Sequence, residues 1–145
     1  MTLAITLSIA LELIAAAHQE AARRDTAISA AIVDAGGNLI AFGRMDGAEI
    51  AGATLATDKA FTAVAHSIPT EELGVLAAPG GELFGLQANG GGRYVIFGGG
   101  IPLLRERHIV GGVGVSGSTS KNDVACAEQA VLRFAELVPR QPPSR

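Results

Sequence analysis

Apolar residues recur at helical spacing along the first two dozen positions of the chain. Residues 3–24 predict a helix, because their apolar side chains fall three and four positions apart. This helix is apolar on two sides: one stripe contains Leu3, Leu7, Ala10, Leu11 and Ile14, and the other contains Ile5, Ile9 and Leu13. His18 lies at the edge of the first stripe, one turn beyond Ile14. Such a helix needs two neighbours, which we expect to be the protein's own sheet and a second subunit.

Short segments rich in β-branched residues predict strands. They are residues 28–33, 39–44, 94–97, 101–104 and 108–116. The first two are joined by turn-forming residues 34–38 and predict a hairpin. Pro102 places the fourth strand at an edge or a bend of the sheet, because proline cannot donate a ladder hydrogen bond.

Two further helices and a long loop lie between these strands, and residues 120–137 predict the C-terminal helix. Residues 49–67 are rich in alanine and predict a helix that Pro69 ends, and residues 70–73 predict a short capped helix. Residues 78–92 contain six glycines and predict a long loop, a segment that is usually functional or mobile in a compact domain. Strands and helices do not alternate regularly. The order therefore predicts an α+β fold in which helices flank an antiparallel sheet of about five strands.

Length and composition narrow the class of protein. A chain of 145 residues predicts one domain, which we place at residues 1–138, with a C-terminal tail at 139–145. Hydrophobic residues make up 48% of the chain and the mean hydropathy is +0.35, which indicates more apolar surface than one subunit can bury and predicts a homo-oligomer. The net charge of −3 and the absence of a basic stripe argue against a nucleic-acid partner.

The N-terminal segment and the cysteine count exclude further classes. The apolar N-terminus lacks a preceding basic region and is interrupted by Glu12 and His18, so we expect neither a signal peptide nor a membrane span, and a cytoplasmic protein. Cys126 is the single cysteine, which rules out an internal disulfide and a multi-cysteine metal site. No histidine pair has metal-ligand spacing, so no metal site is expected.

A glycine-rich strand leads into a turn and a capped helix near the C-terminus. Residues 109–115 combine isoleucine and valines with three glycines, residues 116–120 form a turn, and Asp123 lies in the first turn of the helix. A helix N-terminus leaves backbone N–H groups unpaired, and these groups bind anions readily. The layout predicts a pocket for a carboxylate or a similar group. The candidate ligand-binding residues are Gly91, Gly92, Ser116, Gly117 and Ser118.

Three segments together resemble a known family. They are VDAGGNLIAF followed by RMDGA at residues 33–48, DKAFTA at residues 58–63, and GGIPL continuing through GGVGVSG to Asp123 and Ala127 at residues 99–127. In this order they resemble the GlcG/HbpS family, which includes the C-terminal domain of PduO-type proteins. The resemblance covers nearly the whole chain. One departure is Ser118, where many relatives carry a second glycine.

The resemblance implies a profilin-like sheet with flanking helices, assembled into oligomers, that binds a small ligand. Some relatives bind haem and are described as haem-degrading or haem-sensing, whereas others belong to catabolic pathways for small acids. Haem iron usually takes an axial His, Met, Cys or Tyr ligand. His18, on the apolar helix edge near the expected subunit contact, is the best candidate for binding haem as a cofactor, although a packed or surface histidine is the alternative.

Two other functions fit the same residues. An enzyme acting on a small carboxylate would use Lys59 or Glu49 to transfer protons, while Arg93 and backbone N–H groups hold the substrate. Each side chain also has a structural explanation. Lys59 could extend to solvent or pair with Asp58 or another neighbour, Arg93 could be a solvated edge residue, and Glu49 could favour the helix N-terminus. The third hypothesis is an accessory assembly protein without a small ligand.

Overall fold

A computed structural model describes residues 4–139 of the chain. The helices are Leu7–Arg23 (α1), Ala51–His66 (α2), Thr70–Ala77 (α3) and Ser120–Leu137 (α4). The strands are Ser29–Asp34 (β1), Leu39–Arg44 (β2), Gly100–Arg105 (β3) and His108–Ser116 (β4). The predicted α+β class is therefore confirmed. Of the predicted tail, Pro139 is described and residues 140–145 lie outside the described part.

The four strands form one antiparallel sheet in the order β2-β1-β4-β3. Helices α1 and α4 pack together on one face of it and bury the main core. Large side chains of that core include Leu13, Ile14, Ile28, Ile32, Leu103, Val113, Val115 and Phe134. Helix α2 covers the opposite face, chiefly over β4. Within residues 4–139, no helix has the length and apolar character needed to cross a membrane.

The glycines of β4 allow α2 to lie directly on the sheet. A Cβ atom at Gly114 would overlap the carbonyl oxygen of Ala56, and one at Gly112 would lie 2.8 Å from the carbonyl oxygen of Ala60. The two helix residues are alanines, so small residues meet on both sides of the contact. The glycines within the predicted strand 108–116 are therefore used for close helix–sheet packing.

The prediction of about five strands was wrong by one. Residues 94–97 have a strand-like composition, but the structure gives them no ladder partner in the described part of the chain. The Val95 N–H donates to the Thr62 hydroxyl at 3.1 Å, and that hydroxyl lies 3.1 Å from the carbonyl oxygen of Arg93. A side chain of α2 therefore satisfies the Val95 N–H, which a neighbouring strand would otherwise have bonded.

Helix α1 is apolar on two sides, but the division between them differs from the predicted one. It begins at Leu7, with the Thr6 hydroxyl accepting from the Ile9 N–H at 3.1 Å, and the predicted start at Leu3 lies outside the described residues. The buried side combines members of both predicted stripes and contains Ala10, Leu13, Ile14 and Ala17. Leu7 and Leu11 remain 56% and 52% exposed.

Candidate functional site

His18 lies on α1 against the edge strand β2. Its ring is partly buried, and Nε2 is 3.0 Å from the carbonyl oxygen of Gly43. A Cβ at Gly43 would lie 3.0 Å from His18 Cε1, so the bare backbone of the glycine makes room for the ring. In the neutral imidazole a nitrogen facing a carbonyl carries the hydrogen, and the other keeps its lone pair. Metal-binding histidines are commonly oriented by such a carbonyl contact.

The exposed leucines of α1 lie on the same face as His18. Leu7, Leu11 and His18 are four and seven residues apart, which brings them into one line along a helix. We call Leu7, Leu11 and His18 the α1 stripe. It combines exposed apolar surface with an imidazole that has one nitrogen free of hydrogen bonds among residues 4–139.

Lys59 is buried, because its side chain points from α2 into the interior. Its Nζ donates to the carbonyl oxygen of Val115 at 2.9 Å and to Oδ2 of Asp123 at 3.2 Å, and it lies 5.0 Å from the centre of the Phe97 ring. The sequence left open whether Lys59 extends to solvent or forms an ion pair. In the structure it forms an ion pair, and its partner is Asp123 rather than the adjacent Asp58. Burial lowers the pKa of Lys59, and the charge of Asp123 opposes that shift.

Asp123 occupies the turn that the sequence predicted to bind an anion. Its Oδ1 accepts from the Ser118 N–H at 3.0 Å, and the Thr119 hydroxyl accepts from the Asn122 N–H at 3.2 Å. Burial raises the pKa of Asp123, while Lys59 and the hydrogen bond from Ser118 lower it. Sequence reasoning did not identify this carboxylate as the partner of Lys59. The available signal was an aspartate at a glycine–serine turn in a chain with a lone mid-helix lysine.

Arg93 is held on the outer side of α2. Its Nε donates to Oδ1 of Asp58 at 3.0 Å, and its guanidinium carbon lies 3.7 Å from the centre of the Phe61 ring. The side chain is 42% exposed. Gly91 and Gly92 are exposed in the tight turn immediately before it. Arg93 therefore anchors the glycine-rich loop to α2 by an ion pair and a cation–π contact.

The three candidate catalytic residues do not form one cluster. Glu49 is exposed two residues before α2 begins, although its charge is close enough to raise the pKa of Lys59. No hydrogen bond or ion pair of the described residues joins any two of Lys59, Glu49 and Arg93. Residues 4–139 contain no group of three or more His, Cys, Asp or Glu side chains that could hold a metal ion. The roles of these residues remain predictions.

The family model for haem-degrading, HbpS-like proteins matches residues 5–132. The chain belongs to this family. The resemblance seen in the three sequence segments is therefore confirmed. The HbpS-like match covers all four helices except the end of α4, together with the whole sheet.

Individual relatives agree with this assignment. The 15.0 kDa protein of the dhaT–dhaS intergenic region of Citrobacter freundii is 37% identical over 133 residues, which cover 92% of this chain and 94% of that protein. The corrinoid adenosyltransferase PduO of the same organism is 38% identical over 120 residues, 83% of this chain but 36% of PduO. The crystal structure of a PduOC–haem complex superposes with a TM-score of 0.87 at 34% identity, covering 90% of this chain and 95% of that one.

Proposed function

We propose that this protein binds haem and that His18 supplies an axial ligand to the iron. The observation that carries the proposal is the α1 stripe, in which the partly buried imidazole of His18 continues the exposed apolar surface of Leu7 and Leu11. A haem site needs an iron ligand and apolar surface for the macrocycle, and this face of α1 offers both. The HbpS-like family description and the haem complex of the PduO C-terminal domain support the choice of ligand.

The residues around His18 suit this role. The Gly43 carbonyl orients the ring by its 3.0 Å contact with Nε2, and the other nitrogen is left for iron. Leu11 would border the macrocycle, whereas Leu7, about three helical turns from His18 along α1, lies too far from the iron to contact it. When bound, haem would supply an iron centre for ligand binding or electron transfer. Its second face would lie at the protein surface, so we also propose that a second copy of the chain covers it and that the protein works as a homo-oligomer.

A haemin titration of purified protein, followed by absorbance, tests the proposal. We expect a saturable, stoichiometric Soret shift in the wild type that is lost in His18→Ala. His66→Ala is the matched control, because that imidazole is also partly buried on a helix and faces a backbone carbonyl, in this case Thr62 at 3.1 Å. An unchanged Soret band in His18→Ala would remove His18 from the site. Weak, unsaturable binding in all three proteins would contradict haem binding itself.

Sedimentation velocity with and without haemin tests the oligomer. We expect assemblies larger than the monomer, with haemin increasing their share if a subunit contact closes over the ligand. A monomer under both conditions would contradict the oligomer and the accessory assembly hypothesis together. The small-carboxylate enzyme stays the alternative, and its first test is a thermal-shift screen of carboxylate ligands in case haemin fails to bind.

A further inference from the structure

A groove of about 570 Å³ separates the β3–β4 turn from the C-terminal half of α4. Its apolar lining includes Leu104, Val131, Phe134 and Val138. The groove lies beside β3 at one edge of the sheet, whereas His18 contacts β2 at the other edge. It is therefore separate from the α1 stripe, and nothing argued for haem at His18 depends on it.

The rim of this groove is charged. Arg105, Glu106 and Arg107 all border it, which leaves an excess of one positive charge. None of the ion pairs or side-chain hydrogen bonds in the described residues involves either arginine. Two guanidinium groups without a carboxylate partner in residues 4–139 thus stand next to an apolar floor, of which Leu104 is 54% exposed.

The turn that carries these side chains is unusual. Glu106 and Arg107 have φ values of 49° and 71°, in the left-handed region that favours glycine and asparagine. Two-residue hairpin turns of this kind normally carry Asn-Gly or Gly-Gly. Here two long charged side chains occupy the positions instead, and they are displayed at the end of the hairpin beside the groove.

We infer that the groove binds a small ligand with an apolar body and a terminal carboxylate, of the type of a medium-chain fatty acid. The apolar body would cover Leu104, which is 54% exposed, and remove its surface from water. The carboxylate would pair with Arg105 or Arg107, because a planar guanidinium binds a carboxylate through two parallel hydrogen bonds. The volume is within the range of ordinary small-molecule sites.

Isothermal titration with dodecanoate, below its micellar concentration, tests this inference. We expect saturable binding to the full chain that weakens at least tenfold in the double variant Arg105→Gln/Arg107→Gln. Arg133→Gln is the control, because that arginine is on α4 but does not line the groove and pairs with Glu12 and Glu136 instead. Leu104→Asn is a second variant. It should weaken binding without unfolding the protein, because the side chain is more than half exposed.

Two further ligands test whether binding depends on the carboxylate and whether haem carboxylates use the same groove. Dodecanol has the same chain without the carboxylate and should bind at least tenfold more weakly than dodecanoate. Haemin also joins an apolar body to carboxylates, and its displacement of dodecanoate from His18→Ala protein would identify haem carboxylates as a second ligand of the same chemistry. The inference is overturned by absent dodecanoate binding, by equal binding of dodecanol, or by unchanged binding in the double arginine variant. Tighter binding to a chain ending at Pro139 would assign the groove to residues 140–145 instead.

Discussion

Replacing Lys59 by Met tests the role of the buried ion pair. Methionine keeps the length and apolar stem of lysine, so the change opens little space in the core but removes the cation 3.2 Å from Asp123. Both side chains are almost fully buried, at 1% and 3% exposure. Breaking a buried pair from one side costs about 3–5 kcal/mol, because the remaining charge stays in the interior without compensation. We expect the free energy of unfolding at pH 7 to fall by that amount.

The double variant separates the ion pair from the packing around it. Asp123→Asn should also cost about 3–5 kcal/mol, because it leaves the Lys59 ammonium buried without its carboxylate. Asparagine retains an oxygen that can accept from the Ser118 N–H. Lys59→Met/Asp123→Asn removes both charges, so its cost should be no larger than that of either single change. The difference from additivity measures the coupling between the two residues.

The pH dependence of the single variants provides a second signature. Burial raises the pKa of Asp123 above its unfolded value, and loss of Lys59 raises it further, so the folded Lys59→Met protein takes up a proton before the unfolded chain does. The loss of unfolding free energy in Lys59→Met relative to wild type should therefore shrink as the pH falls from 7 through the folded-state pKa of Asp123. Burial lowers the pKa of Lys59 and loss of the Asp123 charge lowers it further, so the stability deficit of Asp123→Asn should shrink as the pH rises through the folded-state pKa of Lys59.

Urea denaturation followed by circular dichroism, repeated across pH, measures these energies. The comparison is valid if the wild type and the three variants have equal m-values. A loss below about 1 kcal/mol in Lys59→Met at pH 7 would refute a buried, uncompensated carboxylate. Strict additivity in the double variant, or deficits that do not change with pH, would refute the ion pair as the source of the cost.

Three further predictions concern single residues. Ser29→Ala should raise the free energy of unfolding by about 1 kcal/mol in urea denaturation, because the buried Ser29 hydroxyl has no hydrogen-bond partner among the described residues. A lower free energy of unfolding in the variant would show that the hydroxyl is hydrogen-bonded. Gly114→Ala should lower the free energy of unfolding by about 3 kcal/mol or more in the same assay, because the new Cβ would overlap the Ala56 carbonyl oxygen. An unchanged free energy of unfolding would show that α2 can shift to make room. Burial raises the pKa of the Cys126 thiol to about 11, so at pH 8 this thiol should react with a disulfide reagent only as fast as local or global unfolding exposes it. Rapid reaction of the native protein would contradict this prediction.

The periodic segments of the sequence were sufficient to predict most of the fold. The hairpin of β1 and β2, the strand β4 and the helix α4 were found because their patterns are local and their turn residues lie at the boundaries. Residues 94–97 could not be assigned correctly from composition. The Val95 N–H is bonded to Thr62, a residue some thirty positions earlier in the chain, and no local pattern reports such a contact.

The candidate site was less predictable, because its side chains obtain their roles from distant partners. Lys59 was identified as unusual, but its partner is 64 residues away, and the sequence offered Asp58 next to it. Asp58 pairs with Arg93 instead, since adjacent residues on a helix point about 100° apart. His18 was placed correctly on an apolar edge of α1, whereas its contact with Gly43 depends on how β2 packs beside that helix.

The carboxylate of Asp123 bears directly on the choice between haem binding and small-acid chemistry. The turn at residues 116–120 looks like an anion site in the sequence, and in the structure an anion occupies it, namely a side chain of the protein itself. An external carboxylate would have to displace a tethered one whose effective concentration is high. Moving Asp123 away would also leave the Lys59 ammonium alone in the core, at a cost of several kcal/mol. The His18 imidazole has no carboxylate partner among the described residues, so the proposed ligand at the α1 stripe would not have to displace an ion pair.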